Sequence, residues 1–195
     1  MKIIRTVVAG LVIAAPAAAW AQTARDASLT NYIDFAAGNG KVSVDCTGST
    51  LCHGSDTAAV VRFGHRFDPS WAVELSYAKV DAGISSLFQR AAELEGYGIN
   101  AAYTLPVSDS VAVLLRAGAW SNRTTYQPGL GENGSRTATT AVKPVIGLAG
   151  SWQFAQHWSL NVNADFTRAD LRSTPNSAKD SATVRVLTAG VAFSF

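Results

Sequence analysis

Six charged residues are the first candidates for chemistry. They lie in segments where every second residue is apolar, and they occupy the positions between the apolar residues. Charges that are removed from water must be paired or they neutralise. The set therefore predicts either a structural layer of ion pairs, which we favour, or a gate on a narrow ion path. We expect Arg62 to lie beside both Asp34 and Glu74. The six residues are Asp34, Arg62, Glu74, Arg116, Lys143 and Asp165, with Lys143 and Asp165 on neighbouring strands.

The two cysteines form a second candidate site. Cys46 and Cys52 enclose five turn-prone residues in DCTGSTLCHG. In an oxidising compartment such a pair closes a small disulfide loop. A zinc site made from Cys46, Cys52 and His53 is the rival, since thiolate and imidazole are zinc ligands. Because no fourth ligand stands at the usual spacing, the disulfide is our prediction.

Two polar stretches offer residue types that lipid-modifying enzymes use. His, Asp and Ser occur together at 53–56, and Asp and Ser occur at 81–86. Polar loops supply such groups by chance, and no motif binds these together. The sequence also has no phosphate-cradling glycine loop, no Cys-x-x-Cys pair and no His-Glu-x-x-His. We therefore predict no catalytic, cofactor-binding or metal-binding residues and no enzymatic activity.

The first 21 residues resemble a secretory signal. Lys2 and Arg5 precede an apolar run that ends at a small-x-small site, Ala19-Trp20-Ala21. That run is too short for a comfortable membrane span. We expect residues 1–21 to be a signal peptide, 22–30 a periplasmic N-terminal segment and 31–195 a single barrel domain.

Composition narrows the class of protein further. The predicted signal holds two of the sixteen Lys and Arg residues and none of the fourteen acids, so the mature chain has 14 bases against 14 acids. No basic footprint for nucleic acid remains. Charged residues make up only 15% of the chain and hydrophobic ones 48%. Ordinary soluble domains carry about 25% charged residues, so a secreted chain this apolar points to a membrane.

Eight segments alternate apolar and polar residues with a period of two, which is typical of strands with one apolar face. Each is about ten residues long, the length that a tilted transmembrane strand needs. A helical span is excluded because no run of about 18 apolar residues follows the signal. The segments are NYIDFAAGNG, TAAVVRFGHRF, WAVELSYAKV, GYGINAAYTL, SVAVLLRAGAW, KPVIGLAGSWQF, WSLNVNADFT and VLTAGVAFSF.

The connections between these segments alternate between short and long. The short ones are DPS, PVSDS and AQH, and the long ones run over about 41–56, 81–93, 121–140 and 168–181. This asymmetry predicts an all-β fold, an eight-stranded antiparallel up-and-down transmembrane β-barrel with short periplasmic turns and long outer loops. A soluble eight-stranded barrel is the alternative. It fits less well because aromatic residues cluster at the strand ends, where the two membrane interfaces lie.

The segments RFGHRFDPSWAVELSYAKV, GYGINAAYTLPVSDSVAVLLRAGAW, KPVIGLAGSWQFAQHWSLNVNADFT and LTAGVAFSF resemble the OmpA-like transmembrane barrel family. Each of the first three joins two strands through a tight turn, and the second strand of most opens on an aromatic residue. The resemblance implies residence in the outer membrane of a Gram-negative cell. It also implies a role in envelope integrity and in surface contact through the outer loops. A small pore and a lipid A-modifying enzyme are the alternatives.

The resemblance also implies partners. The chain ends on Phe193-Ser194-Phe195, and in barrels of this kind a terminal aromatic residue is the signal that the outer-membrane assembly machinery recognises. The other expected partners are the lipid and lipopolysaccharide of the outer membrane and a host or surface ligand at the loops. We expect the protein to be a monomer. Peptidoglycan tethering is not expected, because the larger family member uses a further domain after its eighth strand.

Overall fold

The protein is a closed β-barrel of eight antiparallel strands in chain order. The computed structural model describes residues 30–44, 53–84, 90–127, 137–171 and 180–195. Each strand pairs with the next along the chain, which confirms the predicted fold class. The strands are β1 (Asn31–Val44), β2 (His53–Arg66), β3 (Trp71–Ile84), β4 (Arg90–Pro106), β5 (Val111–Gln127), β6 (Thr137–Ala155), β7 (Trp158–Leu171) and β8 (Asp180–Ser194).

The last strand closes the barrel against the first. β8 pairs with β1 from Ser194 opposite Tyr32 to Ala182 opposite Val44. Beyond that ladder, the backbones of Asn31 and Phe195 exchange two hydrogen bonds of 2.9 Å. A closed ring of strands satisfies backbone groups that would otherwise face lipid unpaired. The terminal residue therefore belongs to the seam of the barrel.

The three short connections lie where the sequence predicted them, at 67–70, 107–110 and 156–157. Side chains hold the first of these turns. The Asp68 carboxylate accepts hydrogen bonds from the backbone N–H groups of Ser70 and Trp71 at 2.7 and 2.8 Å. Aspartate commonly closes turns in this way. We call the end of the barrel that carries these turns, the start of β1 and the end of β8 the turn end. The opposite end is the loop end.

The strands are longer than the alternation indicated. Four connections that were predicted to be long loops shrink to 45–52, 85–89, 128–136 and 172–179, because strand pairing continues on both sides of each. Several outward residues at the loop end are charged, such as Lys41, Arg123 and Arg168, so the apolar alternation ends there although the backbone ladder continues. The sequence pattern therefore marked the part of each strand that faces lipid and missed the part that projects above it.

Side chains divide cleanly between lumen and exterior. Outward positions carry exposed large apolar residues such as Phe35, Leu75, Ile99, Ile146 and Leu187. Inward positions carry small, polar or buried residues, in agreement with the period-two rule. Within the described residues there is no helix of the length and apolarity that would cross a bilayer.

Candidate functional site

The lumen contains a layer of paired charges. Arg62 donates to the Asp34 carboxylate at 3.0 Å, and its other terminal nitrogen binds Asp165 across the barrel. Asn161 supplies a further hydrogen bond to Asp34 at 3.1 Å. The charged side chains of this group are at most 3% exposed. One guanidinium thus bridges two buried carboxylates, which is the geometry that a buried cation needs.

A second guanidinium completes the layer. Arg116 donates through Nε to Glu74 at 2.7 Å and through a terminal nitrogen to the Asn163 amide oxygen at 2.9 Å. The Tyr32 hydroxyl donates to the other Glu74 oxygen at 2.5 Å. The Tyr32 ring also receives the Arg66 guanidinium at 4.5 Å from its centroid. The layer is therefore a network that joins several strands rather than a set of isolated pairs.

Arg62 has one of its two predicted neighbours, Asp34, but not the other, Glu74. Arg62 binds Asp34 and Asp165, whereas Glu74 binds Arg116. Long side chains cross a lumen as narrow as that of eight strands, so their partners need not lie on adjacent strands. Five of the six predicted residues meet in this layer, which we call the charge layer: Asp34, Arg62, Glu74, Arg116 and Asp165.

The sixth residue, Lys143, lies apart from the charge layer. It pairs with Asp170 at 2.6 Å, and its side chain is 25% exposed. Asp170 lies one residue before the end of β7, so this pair belongs to the loop end. The sequence analysis missed Asp170 because it assigned 168–181 to a long loop, whereas β7 continues to Leu171.

An apolar cluster fills the lumen between the charge layer and the loop end. Trp120 is its largest member, and its indole lies against Gly98, where any Cβ would overlap the ring. Val60, Val80 and Val184 are at most 1% exposed. We call this cluster the apolar plug: Val42, Ala58, Val60, Ala78, Val80, Leu94, Trp120, Val145, Ala169, Ala182, Val184 and Val186.

Tyr32, Asn161, Asn163 and Trp120 are residues of the lumen that sequence reasoning did not single out. Asn161 and Asn163 alternate with apolar residues on the same side of β7 as Asp165. This alternation predicts that they face the lumen. Tyr32 has the same parity as Asp34, and Trp120 the same parity as Arg116, so the signal was present for them too. The usual preference of aromatic residues in membrane strands for the lipid side argued against it. Their accommodation inside depends on glycines on the neighbouring strands: a Cβ at Gly64 would overlap the Tyr32 ring, as one at Gly98 would overlap Trp120.

The exterior carries paired aromatic rings near the turn end. Trp71 packs on Tyr103 and Trp158 on Phe193, each with ring centroids 4.8 Å apart. Phe193 also stacks on Phe195 at 6.0 Å. Aromatic residues favour the interface between lipid and water. Both residues of the predicted assembly signal thus lie in an aromatic belt, and their recognition by the assembly machinery stays a prediction.

The other candidate sites lie outside the described residues. Cys46 and Cys52 lie in a connection beyond the described residues, so the disulfide stays a prediction. The side chains at 53–56 and 81–86 are outside them as well. Among the described residues, no three His, Cys, Asp or Glu side chains are arranged to hold a metal ion.

Comparison with known proteins places this architecture in a family. The sequence profile of the outer membrane protein beta-barrel domain matches residues 6–195. No match was found among curated protein sequences.

Solved structures share the fold at low sequence identity. Neisserial surface protein A superposes with a TM-score of 0.67 at 17% identity, over 85% of this chain and 97% of that one. Ail of Yersinia pestis, solved with the heparin analogue sucrose octasulfate, gives 0.56 at 13% identity, over 85% and 97%. OprG of Pseudomonas aeruginosa gives 0.51 at 18% identity, over 85% and 96%. With its closed eight-stranded barrel and its apolar exterior, the chain belongs to the outer membrane protein beta-barrel family and resides in the outer membrane.

Proposed function

We propose that this protein is a non-enzymatic membrane scaffold that presents its outer loops as a contact surface and contributes to envelope integrity. The observation that carries the proposal is the filled lumen. The charge layer and the apolar plug lie one above the other across the barrel, so the interior supports the walls. The parts left to meet other molecules are the loops and the rim that bears them.

The same observation argues against the pore alternative. An ion entering from the loop end would meet Val60 and Val184, each with no exposed surface, and Val80 with 1%. It would then have to separate Arg62 and Arg116 from the carboxylates that they bind. Buried charges of this kind are costly to leave unpaired, so the network resists opening.

Conductance in planar bilayers tests this alternative directly. We expect the purified protein to be silent, and Glu74→Ala and Arg116→Ala to alter stability rather than current. Stable single-channel steps from the wild type, with an amplitude that changes in either variant, would make the pore the better function.

The surface role has a parallel in a relative with the same fold. Ail is the attachment invasion locus protein of Yersinia pestis, and it was solved in complex with the heparin analogue sucrose octasulfate. This likeness supports the capacity of a small eight-stranded barrel for surface contact, and it does not identify a ligand for this chain.

Loop shortening tests the surface role. Four variants would each replace one of the connections 45–52, 85–89, 128–136 and 172–179 with a tight turn. The matched control keeps all four loops at full length and carries substitutions in the 107–110 turn, at the opposite end of the barrel. We expect at least one loop variant to lose adhesion or serum survival while heat-modifiable gel migration shows a folded barrel. Full adhesion and survival in all four folded variants would refute the proposal.

Analysis of lipid A tests the non-enzymatic part. Mass spectra of lipid A from cells with and without the gene should show the same acylation and phosphorylation pattern. A reproducible mass difference that the restored gene reverses would instead establish a lipid-modifying enzyme.

We also propose that the protein acts as a monomer. Every one of the eight strands pairs on both sides, so the described barrel has no strand edge to which a second copy could add. Sedimentation in density-matched detergent should give the mass of one chain, and a concentration-independent dimer would contradict this.

A further inference from the structure

The outward face changes character where each strand leaves the apolar band. The apolar band is the part of the outer surface where the outward residues are apolar. Toward the loop end, the first charged outward residue beyond this band is a cation on each of three neighbouring strands: Lys41 on β1, Arg185 on β8 and Arg168 on β7. All three side chains are exposed. We call them the basic row. Leu187 and Phe166, which are also exposed, lie directly below Arg185 and Arg168.

Strand register brings these cations together. Lys41 is directly opposite Arg185. Arg185 is opposite Phe166, so Arg168 occupies the diagonal position on the same face. Side chains directly opposite have Cβ atoms about 5 Å apart, and diagonal ones lie about 7 to 8 Å apart. Like charges at these positions repel, so the row needs an anion from outside the described strands.

The opposite wall of the barrel shows how the same level is neutralised elsewhere. Lys79 is opposite Glu95 and bonds Glu93 at 2.6 Å. Glu95 is in turn opposite Arg123. Acids and bases therefore alternate across β3, β4 and β5, and the wall supplies its own counter-charges.

No such compensation faces the basic row among the described side chains of β1, β7 and β8. Asp170, the nearest acid along β7, is bonded to Lys143 at 2.6 Å. The other outward positions at this level are Asn39 and Thr183, which carry no charge. The two walls therefore differ in whether their outward cations face acids. The backbone is paired in the same way on both walls, so the difference comes from the side chains.

We propose that the basic row is a binding site for the phosphate groups of lipopolysaccharide in the outer leaflet. The row lies at the loop end, which faces outward in barrels with short periplasmic turns. It also lies directly above the apolar band, at the depth of lipid headgroups. Guanidinium groups bind phosphate through two parallel hydrogen bonds, and Arg168 and Arg185 place two such groups side by side. The site is independent of whatever the loops bind.

A pair of matched variants tests the site. Arg168→Gln with Arg185→Gln removes two cations from the row, whereas Lys79→Gln with Arg123→Gln removes two from the compensated wall. Each cation near an anionic lipid surface contributes about fivefold in affinity. The row variant should therefore bind about 25-fold more weakly. The control should lose less affinity, because Lys79 and Arg123 already face Glu93 and Glu95 and contribute less positive charge to an anionic lipid.

The probe is bisphosphorylated lipid A, titrated into the detergent-solubilised full chain and followed by native mass spectrometry. Dephosphorylated lipid A and phosphatidylglycerol serve as comparison lipids, and heat-modifiable migration reports that each variant is folded. We expect wild-type binding to require the phosphates and to exceed that of phosphatidylglycerol. Equal loss in both variants, equal binding of dephosphorylated lipid A, or equal binding of phosphatidylglycerol would each overturn the proposal.

Discussion

Replacing Arg62 with methionine is the sharpest test of how the barrel is held together. Arg62 is 1% exposed and lies between Asp34 and Asp165, which are 1% and 3% exposed. Methionine keeps much of the volume and removes the charge, so two carboxylates would remain in the lumen without their shared cation. Breaking a buried ion pair from one side costs about 3 to 5 kcal/mol. We expect Arg62→Met to lower the free energy of unfolding by that amount.

Urea titration of the protein refolded into detergent measures this loss, because the unfolding free energy falls linearly with denaturant. Lys143→Met is the matched control, since its partner Asp170 and the lysine itself retain contact with solvent. A partly exposed pair contributes about 1 kcal/mol or less. The control should therefore shift the midpoint only slightly.

A rescue variant separates charge imbalance from lost packing. Combining Arg62→Met with Asp34→Asn and Asp165→Asn removes the whole group of charges. Replacing all partners of a buried network is often close to neutral, so most of the stability should return. A loss below about 1 kcal/mol in the single variant, on the scale of an exposed pair, would refute the reasoning. Failure of the triple variant to recover would show that the loss comes from packing.

Two further predictions concern the seam and the plug. Phe195→Ala should lower the amount of heat-modifiable protein in the outer membrane while the purified variant still refolds in detergent, because the side chain is 48% exposed and its backbone makes the seam; unchanged yield in cells would contradict the assembly signal. Gly98→Ala should destabilise the barrel by about 1 to 3 kcal/mol, since the new methyl group overpacks the plug against Trp120. Gly150→Ala is its control, as nothing lies within 4 Å of a Cβ there, and equal urea midpoints for the two would count against the packing of the plug.

Much of the architecture was readable from local pattern. Alternation along WSLNVNADFT placed Leu160 and Val162 outside and Asn161 and Asn163 inside, and the structure agrees. Turn chemistry located all three short connections. Strand ends were misjudged at the loop end, since exposed polar residues such as Lys41 and Arg123 interrupt the apolar alternation although the strands continue through them.

The sequence by itself determined the strands, their facing and the membrane, because a period of two assigns each residue to one side without reference to any other strand. The tertiary structure alone decided which charges meet. Arg62 reaches Asp165, 103 positions away, because closure brings β2 and β7 within one side-chain length across the lumen. Register likewise set Lys41 against Arg185 and Lys79 against Glu95. Such contacts depend on the register between paired strands and on the diameter of the barrel. Neither can be predicted from the pattern of one strand alone.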